Sequence, residues 1–139
     1  AAWEHFLGPG FGEYVELAKS YGVRVIHHTC GAVRPLIPLM IERGLEVLQS
    51  VQPEAQGMEP RGLKAEFGCR LSFHGGLSIQ QTLPFGSPED VRNEARDRIE
   101  ALAPGGGYIL CTSHNVQADT SVENFRELLS AYRAYGSYL

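Results

Sequence analysis

The sequence predicts an α/β fold of about four βα units with parallel strands, the C-terminal half of a (β/α)8 barrel. Short apolar runs alternate with segments of helical spacing, and that alternation predicts parallel strands joined by right-handed crossovers. No glycine-rich phosphate-binding turn follows the first strand, which disfavours a doubly wound sheet. Polar residues follow the strand ends, as in barrel enzymes. The 139 residues supply about half of a barrel, so we expect one domain, 1–139, from a longer protein.

The first two βα units are predicted between residues 11 and 50. Apolar residues at helical spacing predict a helix over 11–21. The β-branched run 23–28 predicts the first strand. A helix over 33–43 follows, in which Pro38 is tolerable only near the start. The apolar run 45–50 then predicts the second strand.

The remaining elements continue this alternation. A short helix over 63–68 precedes a third strand at 70–75. Ser87-Pro88-Glu89-Asp90 combines an N-cap, a proline at the first position and acids in the first turn, and predicts a helix to about residue 102. A fourth strand at 108–112 and a last helix over 122–135 complete the series.

Composition excludes several functional classes. The chain has 12 Lys and Arg against 16 Asp and Glu, a net charge of −4, and no basic stretch, so we expect no nucleic-acid or membrane partner. No apolar run is long enough to span a bilayer, and the N-terminal segment AAWEHFLGPG is unlike a signal peptide. Cys30, Cys69 and Cys111 are an odd number without framework spacing, which predicts reduced thiols and a cytoplasmic location.

The strongest candidate site is His27-His28-Thr29-Cys30-Gly31 at the end of the first strand. Because residues i and i+2 of a strand point to the same side, His28 and Cys30 converge while His27 and Thr29 face away. An imidazole and a thiolate together are ligands that suit zinc. A buried cysteine beside a hydrogen-bonded histidine is the alternative interpretation.

A second cluster, Cys111-Thr112-Ser113-His114-Asn115, follows the fourth strand. The strand ends of a barrel converge on one mouth, so His114 or Cys111 could supply a third ligand. Three protein ligands with one open position are typical of catalytic zinc. Cys111 could equally be an ordinary buried strand residue.

Polar residues also end the other two strands. His74, Gly75 and Gly76 end the third strand, where glycine permits close approach of a ligand, so we predict substrate binding by His74 and Gly75. A tight strand-to-loop turn is the alternative. Gln49 and Glu54 end the second strand region; Glu54 could orient a ligand or act as an acid, or simply be solvated.

Three stretches resemble the C-terminal portion of the uroporphyrinogen decarboxylase superfamily, which includes the cobalamin-dependent methyltransferases. They are GVRVIHHTCGAVRPLIPLMIERGLEVLQ, LSFHGGLSIQQTLPFGSPEDVRNEA and PGGGYILCTSHNVQADTSVENF. The resemblance extends from about residue 10 onwards. It implies a barrel of which strands five to eight are present.

The resemblance leaves two branches open. The methyltransferase branch has a His-x-Cys zinc pair, which His28 and Cys30 match, and a third ligand that is usually Cys but falls on His114 here. The decarboxylase branch lacks that pair, needs no metal and has a His at the position of His114. Its other substrate-binding Arg and Asp residues lie in the N-terminal half.

We therefore expect a zinc-dependent methyltransferase that binds zinc through His28, Cys30 and His114, with Cys111 as the alternative third ligand. It would exchange a methyl group between a corrinoid on a partner protein and a small thiol or hydroxyl substrate. The alternatives are a decarboxylase-like lyase of porphyrin metabolism, with His114 on the substrate carboxylates, or an inactive fragment of either enzyme. Unpaired strand edges predict a homo-oligomer or association with the missing N-terminal half.

Overall fold

One parallel sheet organises the molecule in a computed structural model that describes residues 2–137. Its strands are β1 (Ile26–His28), β2 (Val47–Val51), β3 (Ser72–Leu77) and β4 (Tyr108–Thr112). Each strand pairs in parallel with the next along the chain, in the order β1-β2-β3-β4. This sequential order is that of a barrel wall and confirms the predicted fold of four parallel strands with alternating helices.

Seven α-helices of the described chain alternate with these strands. Those predicted from the sequence are α2, α3, α4, α6 and α7. The bounds are α1 (Ala2–Phe6), α2 (Gly8–Ser20), α3 (Ile37–Glu42), α4 (Pro60–Phe67), α5 (Thr82–Phe85), α6 (Pro88–Leu102) and α7 (Val122–Tyr135).

The differences from prediction fall where the local signal is weak. The helices α1 and α5 have only 5 and 4 residues and were not predicted. The predicted helix over 33–43 divides into a 3-10 turn, Arg34–Leu36, and α3, because each segment begins with a proline in its first turn. The strand β1 begins at Ile26 rather than at residue 23.

Local capping explains why α6 agrees with its prediction. The Ser87 hydroxyl accepts a hydrogen bond from the Asp90 backbone N–H, and the Asp90 carboxylate accepts one from the Ser87 N–H at 2.8 Å. Two backbone donors at the helix start are thereby satisfied within four residues of sequence.

The helices cover one face of the sheet. Leu48, Phe73 and Tyr108 lie side by side on three neighbouring strands, and all three are buried in the main apolar core. A second cluster packs Leu77 of β3 against α5, α6 and α7. The core therefore lies between the sheet and its helices, as in a barrel wall.

Side chains on the opposite face are much less covered. Strand alternation puts His28, Gln49 and His74 on that face, paired in register across β1, β2 and β3. Ile26 and Ile109 are 51% and 45% exposed there. The uncovered face thus carries exposed apolar residues on its two outer strands as well as the polar row of His28, Gln49 and His74, which Ile109 continues on β4.

The pairing of β2 with β3 is irregular near its carboxyl end. The register shifts between Gln49 and Val51, and the Gln49–Ser50 peptide bond is cis. Within residues 2–137, no helix combines the length and apolarity needed to cross a membrane.

Truncation of the central core aromatic should destabilise this fold. We expect Phe73→Ala to lower the free energy of unfolding by about 3–5 kcal/mol, because the ring is fully buried against the helices. Urea denaturation monitored by circular dichroism measures the change.

The matched control is Phe85→Ala, whose ring is 81% exposed. That variant should unfold within about 0.5 kcal/mol of the parent. Equal destabilisation by the two substitutions would contradict the placement of the core.

Candidate functional site

Three side chains with metal-binding chemistry meet at the carboxyl ends of the strands. They are His28 at the end of β1, Cys30 just after it, and His114 in the loop that follows β4. Their ligand atoms all lie within 4.8 Å of one another, and all three side chains are exposed. His28 Nε2 is 3.4 Å from Cys30 Sγ, and the two imidazole rings are 5.4 Å apart between centroids. We call these residues the His-Cys-His cluster.

Backbone N–H groups that donate to β2 and to the loop after it hold the Cys30 side of the cluster. The Thr29 N–H donates to the Gln49 carbonyl at 2.6 Å, which continues the β1–β2 ladder past the end of the strand. Gly31 follows with φ of 87°, and its N–H donates to the Gln52 side-chain oxygen at 2.9 Å. Cys30 is therefore in a loop rather than on the strand, but its sulfur still lies on the same side as His28.

The loop that carries His114 is fixed at its base. Ser113 is buried, and both its N–H and its hydroxyl donate to the Leu77 carbonyl, at 2.9 and 3.0 Å. The Thr112 hydroxyl donates to the His114 carbonyl at 2.6 Å. These bonds orient the backbone so that the His114 imidazole reaches towards β1.

The neighbouring His27 points to the other side of β1, as strand alternation predicts. Its ring packs edge-on against Phe11 of α2, with centroids 5.0 Å apart. Burial lowers the pKa of His27, and the adjacent His28 lowers it further. His27 thus belongs to the packing between β1 and α2.

A chain of polar side chains extends from His28 across the sheet. Gln49 Oε1 is 3.3 Å from His28 Nδ1, and Gln49 Nε2 is 3.2 Å from His74 Nδ1. Burial lowers the pKa of His74, which favours its neutral form. His74 and the cluster histidines line one cleft of about 350 Å³ with Gln49, Cys111 and Asn115.

Cys111 lies outside the His-Cys-His cluster and beside His74. Its sulfur is 3.1 Å from His74 Nδ1, and its S–H donates to the Thr112 carbonyl at 3.1 Å. Burial raises the pKa of Cys111 to about 11. The metal-free thiol therefore keeps its proton at neutral pH.

The two residues predicted to bind substrate have different surroundings. His74 lines the cleft. Gly75 is buried, its carbonyl accepts from the Tyr108 hydroxyl at 2.8 Å, and its φ is 115°. A Cβ there would lie 3.1 Å from the Val51 backbone nitrogen. Close approach of β2 and the positive φ account for this glycine, so His74 is the one of the pair that faces the cleft.

Sequence reasoning assigned no role to Gln49, although it connects two of the candidate histidines. The only signal was a glutamine at the end of a predicted strand, and its neighbours depend on the register between strands.

Glu54 lies apart from the cluster: its carboxylate accepts a hydrogen bond from Ser78, and both line a separate polar cleft.

Comparisons with known proteins agree with this architecture. A family model described as uroporphyrinogen decarboxylase (URO-D) matches residues 1–135. A solved structure of a methyltransferase from Methanosarcina mazei matches with a TM-score of 0.77 and 24% sequence identity. The match covers 97% of this chain and 37% of that one, and at this identity it shows likeness of fold alone. No curated protein matches significantly.

Thiol alkylation should distinguish the three cysteines. At pH 8 a thiol with a pKa of about 11 is ionised in about one molecule in a thousand. In metal-free protein we expect iodoacetamide to modify the exposed Cys30 and Cys69 at least about 10-fold faster than Cys111, because its low ionised fraction and its burial outweigh the higher nucleophilicity of its thiolate. Peptide mass spectrometry over time measures the three rates.

Denatured protein is the control, since all three cysteines should then react at similar rates. Labelling of Cys111 in the folded protein as fast as Cys69 would contradict its burial and its raised pKa.

Proposed function

Because the chain belongs to the uroporphyrinogen decarboxylase family, we propose that it carries the zinc-binding part of a methyltransferase of this family. The supporting observation is the His-Cys-His cluster, whose donor atoms lie within 4.8 Å of one another. The cluster stands at the carboxyl ends of parallel strands, where barrel enzymes have their active sites.

The chemistry of the donors fits zinc. Nitrogen and sulfur ligands suit this borderline-soft ion, and three protein ligands leave a fourth position for substrate. Zn–N and Zn–S bonds in a tetrahedron place the two ligand atoms about 3.6 Å apart. The 3.4 Å between His28 Nε2 and Cys30 Sγ is close to that separation.

His114 is the third ligand in this proposal, not Cys111. The His114 ring lies beside His28, whereas Cys111 lies beside His74 and outside the cluster. Methyltransferases that resemble this chain usually have Cys at the third position, so their zinc is bound by one nitrogen and two sulfurs. This chain would bind zinc through two nitrogens and one sulfur. The donor set with a single thiolate carries one less negative charge.

Zinc bound there would acidify a substrate thiol or hydroxyl, which makes it nucleophilic near neutral pH. The residues of the chain position that substrate. The cleft beside the cluster admits a small molecule, and the neutral His74 and the Asn115 amide offer it hydrogen bonds. A corrinoid held by a partner protein would supply or accept the methyl group.

A decarboxylase-like lyase is the second candidate. It is favoured by the description of the matching family model and by a histidine, not a cysteine, at position 114. In that case the exposed His114 imidazole contacts carboxylates of a tetrapyrrole, and His28 is structural. This function needs no metal, so metal content separates the two candidates.

Metal content of purified variants tests the first candidate. Protein prepared with zinc supplied should retain about one zinc per chain by plasma mass spectrometry. His28→Ala, Cys30→Ala and His114→Ala should each weaken zinc binding by more than about 100-fold, since each removes a ligand.

His27→Ala is the matched control, because it removes an adjacent imidazole that points towards α2. This variant should keep its zinc. If His27→Ala lost zinc and His28→Ala retained it, the assigned orientation of β1 would be wrong by one residue. A wild-type protein that retains no zinc would exclude the methyltransferase proposal and favour the lyase.

A further inference from the structure

We propose that Gln49 is a positioning residue of the metal centre, and that its side-chain amide determines which nitrogen of His28 is free to bind the metal. Only the expected effect of Gln49 on metal affinity rests on the proposed function. The arrangement of hydrogen bonds on which it depends is a property of the metal-free chain.

The position of Gln49 follows from the sheet. It lies on β2 between His28 on β1 and His74 on β3, and the three residues are register partners. The single amide group therefore spans two imidazoles, with Oε1 3.3 Å from His28 Nδ1 and Nε2 3.2 Å from His74 Nδ1.

The amide oxygen selects the tautomer of His28. A carbonyl oxygen only accepts, so the His28 Nδ1 facing it carries the proton, and Nε2 keeps its lone pair. Nε2 is the nitrogen that lies 3.4 Å from Cys30 Sγ. Gln49 thus presents the metal-binding lone pair of His28 to the other ligands before any metal arrives.

The other end of the amide contacts His74. With Oε1 at His28, the NH2 group faces His74 Nδ1. The NH2 group only donates, so this orientation goes together with a His74 imidazole whose proton is on Nε2. Cys111 also approaches His74 Nδ1, while its S–H donates to the Thr112 carbonyl, and sulfur is the weaker hydrogen-bonding partner.

The reversed amide would have the opposite effect. An NH2 group facing His28 would accept no proton from it, so Nδ1 would hold the lone pair and Nε2 the proton. That proton would point at Cys30 Sγ and would have to be lost or moved before Nε2 could bind metal. Outer hydrogen bonds of this kind change metal affinity by about 10–100-fold.

Two substitutions separate the half of the amide that acts on His28 from the half that acts on His74. Gln49→Glu keeps an acceptor for the His28 Nδ1–H but removes the donor to His74. Gln49→Leu removes both. Gln56→Leu is the matched control, since the same change is made at an exposed glutamine outside the cleft.

Two measurements apply to each variant. Side-chain 15N NMR of the metal-free protein, assigned with His28→Ala, reports the tautomer of His28. Competition with a chelator reports the zinc dissociation constant. Circular dichroism confirms that each variant is folded.

We expect the His28 Nδ1–H tautomer in the wild type, in Gln49→Glu and in Gln56→Leu. Gln49→Leu should shift the population towards Nε2–H and weaken zinc binding by about 10–100-fold. Gln49→Glu should bind zinc at least as tightly as the wild type, because a carboxylate accepts from the ligand imidazole in the same way.

Three results would overturn the inference: a His28 Nε2–H tautomer in the metal-free wild type, an unchanged tautomer in Gln49→Leu, or a Gln49→Glu variant that behaves like Gln49→Leu. A wild type that binds no zinc would exclude the proposed function. The tautomer measurement would still decide whether Gln49 orients His28.

Discussion

The structure depends on the parallel pairing of four strands that follow one another in the chain. Because the strands run in one direction, all their carboxyl ends lie at one edge of the sheet. Residues far apart in sequence therefore lie at the same level along the strands. His28, Gln49 and His74 become neighbours in this way alone. A shift of one residue would turn each of them towards the helices, where the buried apolar side chains now pack.

The same alternation makes the two faces of the sheet chemically different. One face buries Leu48 and Phe73 against the helices, and the other leaves polar groups accessible. Burial also separates the two cysteines near the site. Cys30 lies on an exposed loop, whereas partly buried Cys111 has a raised pKa. Position relative to the sheet, not residue type, therefore distinguishes the exposed thiol from the partly buried one.

Sequence alone predicted those features that local chemistry determines. The capping motif at Ser87 predicted the start of α6, and strand alternation predicted that His27 and His28 face apart. The short helices α1 and α5 have too few residues for a periodic signal. Gln49 was missed for a different reason: its partners lie 21 and 25 residues away, and only the register of three strands makes them neighbours.

The His-Cys-His cluster also depends on the loop that follows β4. His28 lies on β1 and His114 in that loop, and a flat sheet would hold these two outer strands about 14 Å apart. Their rings are nevertheless 5.4 Å apart between centroids. Ser113 ties the loop to the Leu77 carbonyl at the end of β3, one strand nearer to β1, so the His114 side chain has a shorter distance to span. The cluster is therefore a consequence of the strand order together with the anchoring of one loop.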